Sequence, residues 1–207
     1  MEETHSFILN GVVSHNTGLA LSFAGNIQKR GGKVVYLNLE DAFEPKLTRL
    51  LGVDLDEIDV FNLKSAEDNL NFIIQAARSG DVDCVIVDSA SGLTPAAELL
   101  GEIGDAHVGK QGRLLFQFMR VFSKLDTDMT VIFCNQMYDN IGAMGNSSKT
   151  KVGGGNAIKY YAMTRVRVDQ IGKRKVGDRV IGHDIKLTVE KARLSEPWST
   201  AQVTVLY

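Results

Sequence analysis

The sequence lacks the features of secreted and membrane proteins. It has only two cysteines in 207 residues. Both Cys84 and Cys134 lie in apolar, strand-like runs, which excludes a disulfide framework and favours a reducing cytosol. No apolar run approaches the roughly 18 residues of a membrane span, and no secretory signal is visible. With 44% apolar and 23% charged residues, the composition predicts a cytoplasmic globular domain with one core and no membrane partner.

Net charge is also small, −2 at pH 7, but the two parts of the chain carry opposite charge. Residues 1–139 hold 11 Lys and Arg against 20 Asp and Glu, a net of −9. Residues 140–207 hold 12 against 5, a net of +7, and no acidic residue lies between Asn140 and Val168. A basic segment of this kind suggests an anionic partner that the total charge conceals.

The hydrophobic pattern predicts an α/β fold. Helical and strand patterns alternate through residue 134, which indicates a mostly parallel sheet covered by helices. Ser65 and Asp68 have the spacing of a capping box at the start of one helix. The predicted strands are 33–39, 58–63, 82–87 and 130–134, and the predicted helices are 18–30, 45–51, 65–78 and 110–125. Apolar and polar residues alternate at 163–168, 180–190 and 201–207, as in antiparallel strands.

One long segment, Met137–Gly155, fits neither a helix nor a central strand. It is rich in Gly, Ser and Asn and carries Lys149 and Lys151. A loop of this length inside a compact domain is usually functional or disordered. It is therefore either a ligand-contacting loop or an insertion without consequence.

Polar residues stand where three of the predicted strands end. Glu40 ends KVVYLNLE, and Asp88 with Ser89 ends the run CVIVDS. An acid at the carboxyl end of a central parallel strand is where α/β nucleotide sites hold Mg²⁺, although such residues also cap the following helix. Two acids on neighbouring strands could hold the metal and orient a water. Gln136, which ends IFCNQ, could contact a terminal phosphate and pass its state to the long loop.

The phosphate-binding loop that such a site needs, G-x-x-x-x-G-K-[ST], is missing from the sequence. Thr17 is nevertheless followed by GLALSFAGNIQKR, which is similar to the helix that this loop opens. By this interpretation, the nucleotide-binding part of the chain begins just after the Lys of the motif.

From Thr17 onward the sequence resembles the core of the bacterial RecA recombinases. The similar segments are TGLAL, LGVDLDEIDV, CVIVDSASGLTPAAEL, GEIGDAHVGKQGR, VIFCNQ, GGNAIKYYA and VEKARLSEPW. The resemblance implies a RecA-like P-loop NTPase core and ATP-dependent DNA strand exchange. The segments GEIGDAHVGKQGR and GGNAIKYY argue against a RecA-fold ATPase of another role.

Residues 1–16 resemble a different family, the C-terminal end of an intein. HSFILNGVVSHN is an apolar strand followed by His-Asn, and the hydroxyl residue Thr17 comes next. Asn16 could cleave its own peptide bond as a succinimide, with His15 protonating the leaving amine or polarising the carbonyl. The Thr17 hydroxyl could receive the upstream acyl group before an O-to-N shift. The alternative is an N-terminal extension with a chance His-Asn-Thr.

The two resemblances predict a domain boundary after Asn16. Residues 1–16 would be a C-terminal intein segment, either split or incomplete. Residues 17–207 would be a RecA-type ATPase core without the Gly-rich loop, the N-terminal oligomerisation element and the C-terminal domain of the family. Splicing to a partner chain would restore the phosphate loop, so recombination and protein trans-splicing are compatible functions.

The RecA resemblance implies ATP and Mg²⁺ as cofactors and a role for several residues around them. The implied residues are Thr17 and Asp88 for Mg²⁺, Ser89 and Tyr207 for the nucleotide, Glu40 for the attacking water, and Gln136 for the γ-phosphate. Lys191 and Arg193 would reach the ATP of a neighbouring protomer. Lys159 and Tyr160 would couple the protomer interface to the nucleotide. Without the resemblance, an exposed strand face and a helix start would be the simpler interpretations of these two pairs.

The same resemblance implies two DNA-contacting loops. The first would supply Val108, Gly109, Arg113 and Arg120, and the second Ile141, Gly154, Gly155 and Asn156. Ile141 would wedge between bases, and the glycines would let backbone amides approach phosphates. Such contacts are largely sequence-neutral and weaken with salt. The implied partners are single- and double-stranded DNA, further copies of the chain in a helical filament, and an N-terminal intein chain.

Three positions depart from the RecA pattern. Leu47 stands where the family usually has a Tyr that stacks on adenine, which puts base selectivity in doubt. Tyr138 and Asp139 replace basic or apolar residues at the start of the second loop, which puts DNA affinity in doubt.

Overall fold

The computed structural model describes residues 15–41, 43–102, 105, 109–139, 150–152, 156–194 and 196–206. The helices are α1 (His15–Gln28), α2 (Pro45–Leu50), α3 (Ala66–Ser79), α4 (Ala96–Leu99), α5 (Lys110–Phe122) and α6 (Asn156–Tyr161), with a 3₁₀ turn at Ala90–Gly92. The strands are β1 (Val34–Asn38), β2 (Ile58–Phe61), β3 (Cys84–Asp88), β4 (Thr130–Phe133), β5 (Met137–Asp139), β6 (Thr150–Val152), β7 (Thr164–Val176), β8 (Arg179–Ala192) and β9 (Thr200–Leu206).

Four strands form a parallel sheet in the order β2-β1-β3-β4. Every residue of β1 and β3 is buried, as expected where both faces of a parallel strand are covered. The predicted parallel core is therefore confirmed. In the described part of the chain, β4 is an outer strand of this sheet: it pairs with β3, and Thr130 at its start is exposed.

One face of the parallel sheet packs against α3 and α5. Val35 of β1 and Val85 of β3 lie in one buried cluster with Ile73 of α3 and Leu115 of α5. Since residues alternate between the faces of a strand, this packing uses every second residue of the central strands. The two helices thus hold β1 and β3 in place. Polar residues follow these strands at the carboxyl edge of the sheet.

Helix ends follow local hydrogen bonding. The predicted capping box is present, because Ser65 Oγ accepts from the Asp68 amide at 3.0 Å and donates to its carboxylate at 2.7 Å. α5 ends at Phe122, earlier than predicted, because the amides of Lys124 and Leu125 bond three residues back instead of four; Leu125 N–H donates to Phe122 O at 3.0 Å. α1 begins at His15, three residues before the predicted start.

β7, β8 and β9 form a separate antiparallel sheet in that order. The predicted antiparallel strands are confirmed, but the hairpin is longer, with 13 residues in β7 and 14 in β8. Register shifts follow Arg165, Gln170 and Arg174. Each shift interrupts the alternation of faces, so the polar stretch after Val168 does not show a period of two.

The two ends of the long segment Met137–Gly155 form a short antiparallel ladder that the sequence did not predict. β5 pairs with β6, with Met137 opposite Val152 and Asp139 opposite Thr150. Residues 140–149 between these strands lie outside the described residues.

The chain divides into two compact units. The antiparallel unit contains α1 up to Asn26, α2 and β7–β9. The parallel unit contains the parallel sheet, α3–α6 and β5–β6. Among the helices that the structure describes, none is long and apolar enough to cross a membrane.

Candidate active site

Polar side chains gather at the carboxyl edge of the parallel sheet. The ladder continues past the strands: the Leu39 amide donates to the Asp88 carbonyl, and the Ala90 amide donates to the Cys134 carbonyl, both at 2.8 Å. These bonds tie together the segments that follow β1, β3 and β4. The residues predicted from the three strand ends therefore meet at one edge, as in other α/β sheets.

Glu40 is the centre of this group. Its carboxylate oxygen Oε1 accepts hydrogen bonds from Ser89 Oγ and from Ser91 Oγ, the latter at 3.2 Å. The Gln136 amide Nε2 lies 3.3 Å from both carboxylate oxygens. The Ser89 and Ser91 hydroxyl oxygens also contact each other. Glu40 and Gln136 are exposed, whereas Ser89 is buried, so a buried hydroxyl orients an accessible carboxylate.

The Asp88 carboxylate is hydrogen-bonded to a buried tyrosine. The Tyr36 hydroxyl donates to Asp88 Oδ2 at 2.6 Å, and both residues are buried. Burial, together with the charge and hydrogen bond of Asp88, raises the pKa of Tyr36 far above its usual range. Burial and the charges of Asp88 and Glu40 raise the pKa of the Cys134 thiol. Two carboxylates therefore make this edge electronegative in a desolvated setting.

The arrangement suits a cation whose coordination shell is completed by waters or phosphate oxygens. Among the residues that the structure describes, no three His, Cys, Asp or Glu converge as a metal cage. Carboxylate and hydroxyl oxygens are ligands that Mg²⁺ prefers, and Mg²⁺ commonly keeps waters and phosphate oxygens as further ligands. Asp88, Ser89 and Glu40 fit that pattern.

Three residues of this site were not predicted as site residues from the sequence. In the sequence, Tyr36 is one more residue of an apolar strand, and no local pattern indicates a partner for its hydroxyl. Ser91 follows Ser89 at a spacing of two, and the pair S-x-S directly after a strand was the available signal. Gln111 of α5 donates from Nε2 to the carbonyl oxygens of Ala90, Ser91 and Leu93 at 3.0, 3.3 and 2.9 Å. It has no sequence signal, because its partners lie about 20 positions away.

Thr17, Lys191 and Arg193 belong to the antiparallel unit. Thr17 is buried in the first turn of α1. Lys191 is half-buried near the end of β8, and Arg193 is exposed just after it. Partial burial, then the charges of Arg193 and Arg165, lower the pKa of Lys191. These cations lie close enough to repel one another, an arrangement that favours a bound anion.

Two of the predicted DNA residues, Arg113 and Arg120, lie in α5, and a third, Gly109, precedes it. Gly109 precedes the helix with φ +74°, a conformation that glycine adopts without strain. Arg113 and Arg120 are both exposed. They are seven residues apart, so they lie on the same side of α5.

Asn156, Lys159 and Tyr160 lie in α6. All three are exposed, and α6 begins at Asn156. The rings of Tyr160 and Phe116 have centroids 6.5 Å apart. Lys159 and Tyr160 are therefore helical residues on an accessible surface, which leaves both interpretations of this pair open.

Several predicted residues lie outside the part that the structure describes. They are Val108, Ile141, Gly154, Gly155, Tyr207 and the side chain of His15. Leu47, the departure at the expected adenine position, is buried in α2. It therefore presents little surface for a base to stack on.

Comparison with protein families matches residues 8–207 to the RecA N-terminal domain. The chain belongs to this family. The RecA resemblance and the α/β fold are thereby confirmed. The match also includes residues 8–16, which fall within the predicted intein segment. Nothing in the match separates those residues from the rest, so the boundary after Asn16 stays a prediction.

Relatives and solved structures agree with this assignment. Protein RecA of Nitratiruptor sp. is 39% identical over 198 residues, covering 94% of this chain and 57% of the relative. Protein RecA of Acinetobacter baumannii is 37% identical over 196 residues, covering 94% and 56%. The chain thus spans little more than half the length of these RecA proteins. The crystal structure of the RadB recombinase shares the fold, with a TM-score of 0.57 at 20% identity over 90% of this chain and 80% of that one.

Proposed function

We propose that this RecA-family chain is the core of a recombinase that forms filaments on single-stranded DNA with ATP and performs homologous pairing and strand exchange. The observation that carries the proposal is the contact of Ser89 and Gln136 with the Glu40 carboxylate at the edge of the parallel sheet. A carboxylate, a hydroxyl and an amide from three strand ends suit the hydrolysis of a nucleoside triphosphate. The resemblance to proteins named Protein RecA fits this activity, and we place it in DNA recombination and repair in the cytoplasm.

ATP and Mg²⁺ are the cofactors of this proposal. The oxygen donors of Thr17, Asp88 and Ser89 match the ligand preference of Mg²⁺. Thr17 would bind the ion through its hydroxyl, Asp88 would hold a water of its shell, and Ser89 with Tyr207 would contact the nucleotide. When bound, the ion neutralises charge on the phosphates.

Glu40 would accept a proton from the attacking water. Its oxygen Oε1 accepts from Ser89, Ser91 and Gln136, whereas Oε2 accepts from Gln136 at 3.3 Å in the described part of the chain. Oε2 is thus the oxygen with more capacity left for a water proton. The serine hydroxyls fix the carboxylate so that this oxygen points in one direction.

Gln136 would connect the nucleotide to the second DNA loop. Its amide contacts Glu40, and the next residue, Met137, begins β5 at the entry to the long segment. A γ-phosphate that attracted the amide would change its contact with Glu40 and displace the start of β5. A ligand-dependent contact beside a loop is a common form of molecular switch.

Lys191 and Arg193 would act on the ATP of a neighbouring copy in the filament. Lys191 lies near the end of β8 and Arg193 just after it, and two neighbouring cations make an anion a favourable ligand. A cation supplied by a neighbour makes hydrolysis depend on assembly. Lys159 and Tyr160 would couple that interface to the nucleotide.

DNA contact is assigned to the two loops around α5 and the long segment. Arg113 and Arg120 would contact phosphates from the exposed side of α5, together with Gly109 and Val108. Ile141, Gly154, Gly155 and Asn156 would form the second contact. Both single- and double-stranded DNA would bind with little sequence preference and with strong salt dependence.

The test uses the product of splicing, that is, a protein in which a complete phosphate loop directly precedes residues 17–207. We expect single-stranded DNA to stimulate its ATP hydrolysis, and we expect strand exchange between homologous duplexes. Hydrolysis without strand exchange would instead indicate a RecA-fold ATPase of another role. The 207-residue chain has no G-x-x-x-x-G-K-[ST] motif, so it should bind ATP poorly; tight Mg²⁺-dependent binding by it would contradict this account.

A second function, protein trans-splicing, is favoured by the His15-Asn16-Thr17 sequence. A matching partner chain, made of an upstream extein and the N-terminal part of the intein, would transfer its extein acyl group to the Thr17 hydroxyl and leave its intein part behind. Cyclisation of Asn16 would then release the peptide that ends at Asn16, and an O-to-N shift would form the new peptide bond. Mass spectrometry of the mixture would detect both products. Asn16→Ala should abolish release of the peptide, and unchanged ligation in that variant would exclude the splicing proposal.

A further inference from the structure

One side-chain amide secures the turn that carries the serines of the site. Gln111 Nε2 lies within 3.3 Å of three carbonyl oxygens, those of Ala90, Ser91 and Leu93. These carbonyls belong to the 3₁₀ turn and the residue after it. Gln111 is half-buried, in the first turn of α5.

The turn is too short to hold itself firmly. Its own backbone bonds are Gly92 N–H to Ser89 O at 2.9 Å and Leu93 N–H to Ala90 O at 3.4 Å. A three-residue 3₁₀ turn has weak hydrogen-bond geometry and leaves its last carbonyls without intrahelical donors. Gln111 supplies donors to those carbonyls, so it stabilises the turn from outside.

The position of this turn determines the contacts of Glu40. Ser89 and Ser91 flank Ala90, and both hydroxyls donate to Glu40 Oε1. A shift of the turn by a fraction of an ångström would lengthen these bonds and free the carboxylate to rotate. Catalysis is sensitive to such misplacement, because a reacting group must be held in an aligned position.

Gln111 also stands at the start of the helix that follows the first predicted DNA loop. Gly109 precedes α5 in a left-handed conformation, and Arg113 is exposed one turn into the helix. A ligand that moves the first turn of α5 therefore moves Gln111 with it. Among the described residues, hydrogen bonds link α5 to Glu40 through Gln111, the turn Ala90–Gly92 and the serines Ser89 and Ser91.

We propose that Gln111 is a positioning residue that couples the first turn of α5 to the orientation of the Glu40 carboxylate through the turn that bears Ser89 and Ser91. Its consequence for hydrolysis rests on the proposed ATPase function. The positioning itself is a property of the parallel unit and can be measured without ATP.

The first experiment measures positioning in the 207-residue chain. Gln111→Met removes the donors at similar volume, and Gln117→Met is the matched control on an exposed site of the same helix. In Gln111→Met we expect a changed carboxyl ¹³C resonance of Glu40 and roughly tenfold faster amide exchange at Gly92. Gln117→Met should change neither. An unaltered Glu40 resonance with unaltered Gly92 exchange in Gln111→Met would overturn the proposal.

The second experiment measures the consequence in the product with a complete phosphate loop. Gln111→Met and Ser91→Ala should each lower kcat of DNA-stimulated ATP hydrolysis by about tenfold, with the KM for ATP within about twofold. The double variant should be close to the single ones, because both act through the same contact. A loss of kcat in the double variant equal to the product of the two single losses would overturn coupling through the turn. A change confined to the KM for ATP would overturn it as well.

The two experiments separate this inference from the proposed function. A wild-type product that hydrolyses no ATP would refute the recombinase proposal, while the Glu40 resonance and the Gly92 exchange would still decide whether Gln111 positions the site. Ser91→Ala is a small change at a half-buried position, so it keeps the test valid if Gln111→Met fails to fold.

Discussion

The parallel and antiparallel units use polar residues in opposite ways. In the parallel unit, Asp88 and Ser89 are buried and hydrogen-bonded at strand ends. In the antiparallel unit, ion pairs such as Arg174 with Asp184, 2.8 Å apart, remain partly exposed on a long hairpin. Buried polar contacts are strong and specific, whereas exposed ion pairs are screened by water and salt. Substitutions in the parallel unit should therefore change chemistry and stability, and those in the hairpin should change charge-dependent behaviour.

The largest effect is expected at Glu40, which we propose takes a proton from the attacking water. Glu40→Gln keeps the shape of the side chain but removes its ability to take a proton. In the product with a complete phosphate loop, kcat for ATP hydrolysis should fall by about 10²- to 10⁴-fold, with nucleotide affinity nearly unchanged. Glu98→Gln, on an exposed face of α4, is the control. A kcat near that of the wild type would show that Glu40 is not the base.

A somewhat smaller effect is expected for the cation of the antiparallel unit. Lys191→Ala should lower hydrolysis by about a hundredfold, through lost stabilisation of developing negative charge. Lys186→Ala, on the same strand, is the control. Mixing Lys191→Ala with Glu40→Gln should restore part of the activity if Lys191 acts on a neighbouring copy. No recovery on mixing would place its action within one chain.

Stability should respond to the buried hydroxyl beneath Asp88. Tyr36→Phe removes the donor at 2.6 Å and leaves a buried carboxylate with one partner fewer. The free energy of unfolding should fall by about 1–3 kcal/mol. Urea denaturation would measure this loss, and Tyr160→Phe, whose side chain is exposed, should change stability by less than about 0.5 kcal/mol. Equal effects of the two variants would remove the contrast between buried and exposed hydroxyls.

The smallest effect is expected for the Asp184 carboxylate of the hairpin. A hydrogen bond from Thr204, then one from Arg174, lowers the pKa of Asp184 from its usual 3.8. A lowered pKa stabilises the fold above the usual value, and this contribution is lost as pH falls through the folded value. Asp184→Asn should therefore lower the Tm slightly at neutral pH, and the difference should vanish in strong acid and shrink with salt. A difference that grows on acidification would contradict this sign; Asp178→Asn at the hairpin turn is the control.

The sequence predicted the residues at the strand ends, Ser89 among them, but not Tyr36, Ser91 and Gln111, which help to hold them in place. Glu40, Asp88 and Gln136 were found because parallel strands bring their carboxyl ends to one edge, and each strand is visible as an apolar run. Gln111 and Tyr36 could not be found in this way. The Gln111 amide reaches carbonyls about 20 positions away, and the Tyr36 hydroxyl reaches a carboxylate 52 positions away.

The hairpin is a second feature that local sequence patterns predicted incompletely. Its register shifts near Gln170 and Arg174 interrupt the alternation of faces, so the period of two that marks a strand disappears. The ladder of β5 with β6 was missed because three-residue strands are too short to show a pattern. Long-range backbone pairing, rather than local propensity, determines both features.

The sequence by itself determined the α/β class, the parallel core, the antiparallel C-terminal strands and the family resemblance, because hydrophobic periodicity and motifs are local properties of the chain. Only the tertiary structure decided which polar atoms meet at the edge of the sheet: Ser89, Ser91 and Gln136 on Glu40, Tyr36 on Asp88, and Gln111 on the turn between them. A hydrogen bond depends on placement within a few tenths of an ångström, and segments distant in sequence reach that accuracy only when the core packs around them.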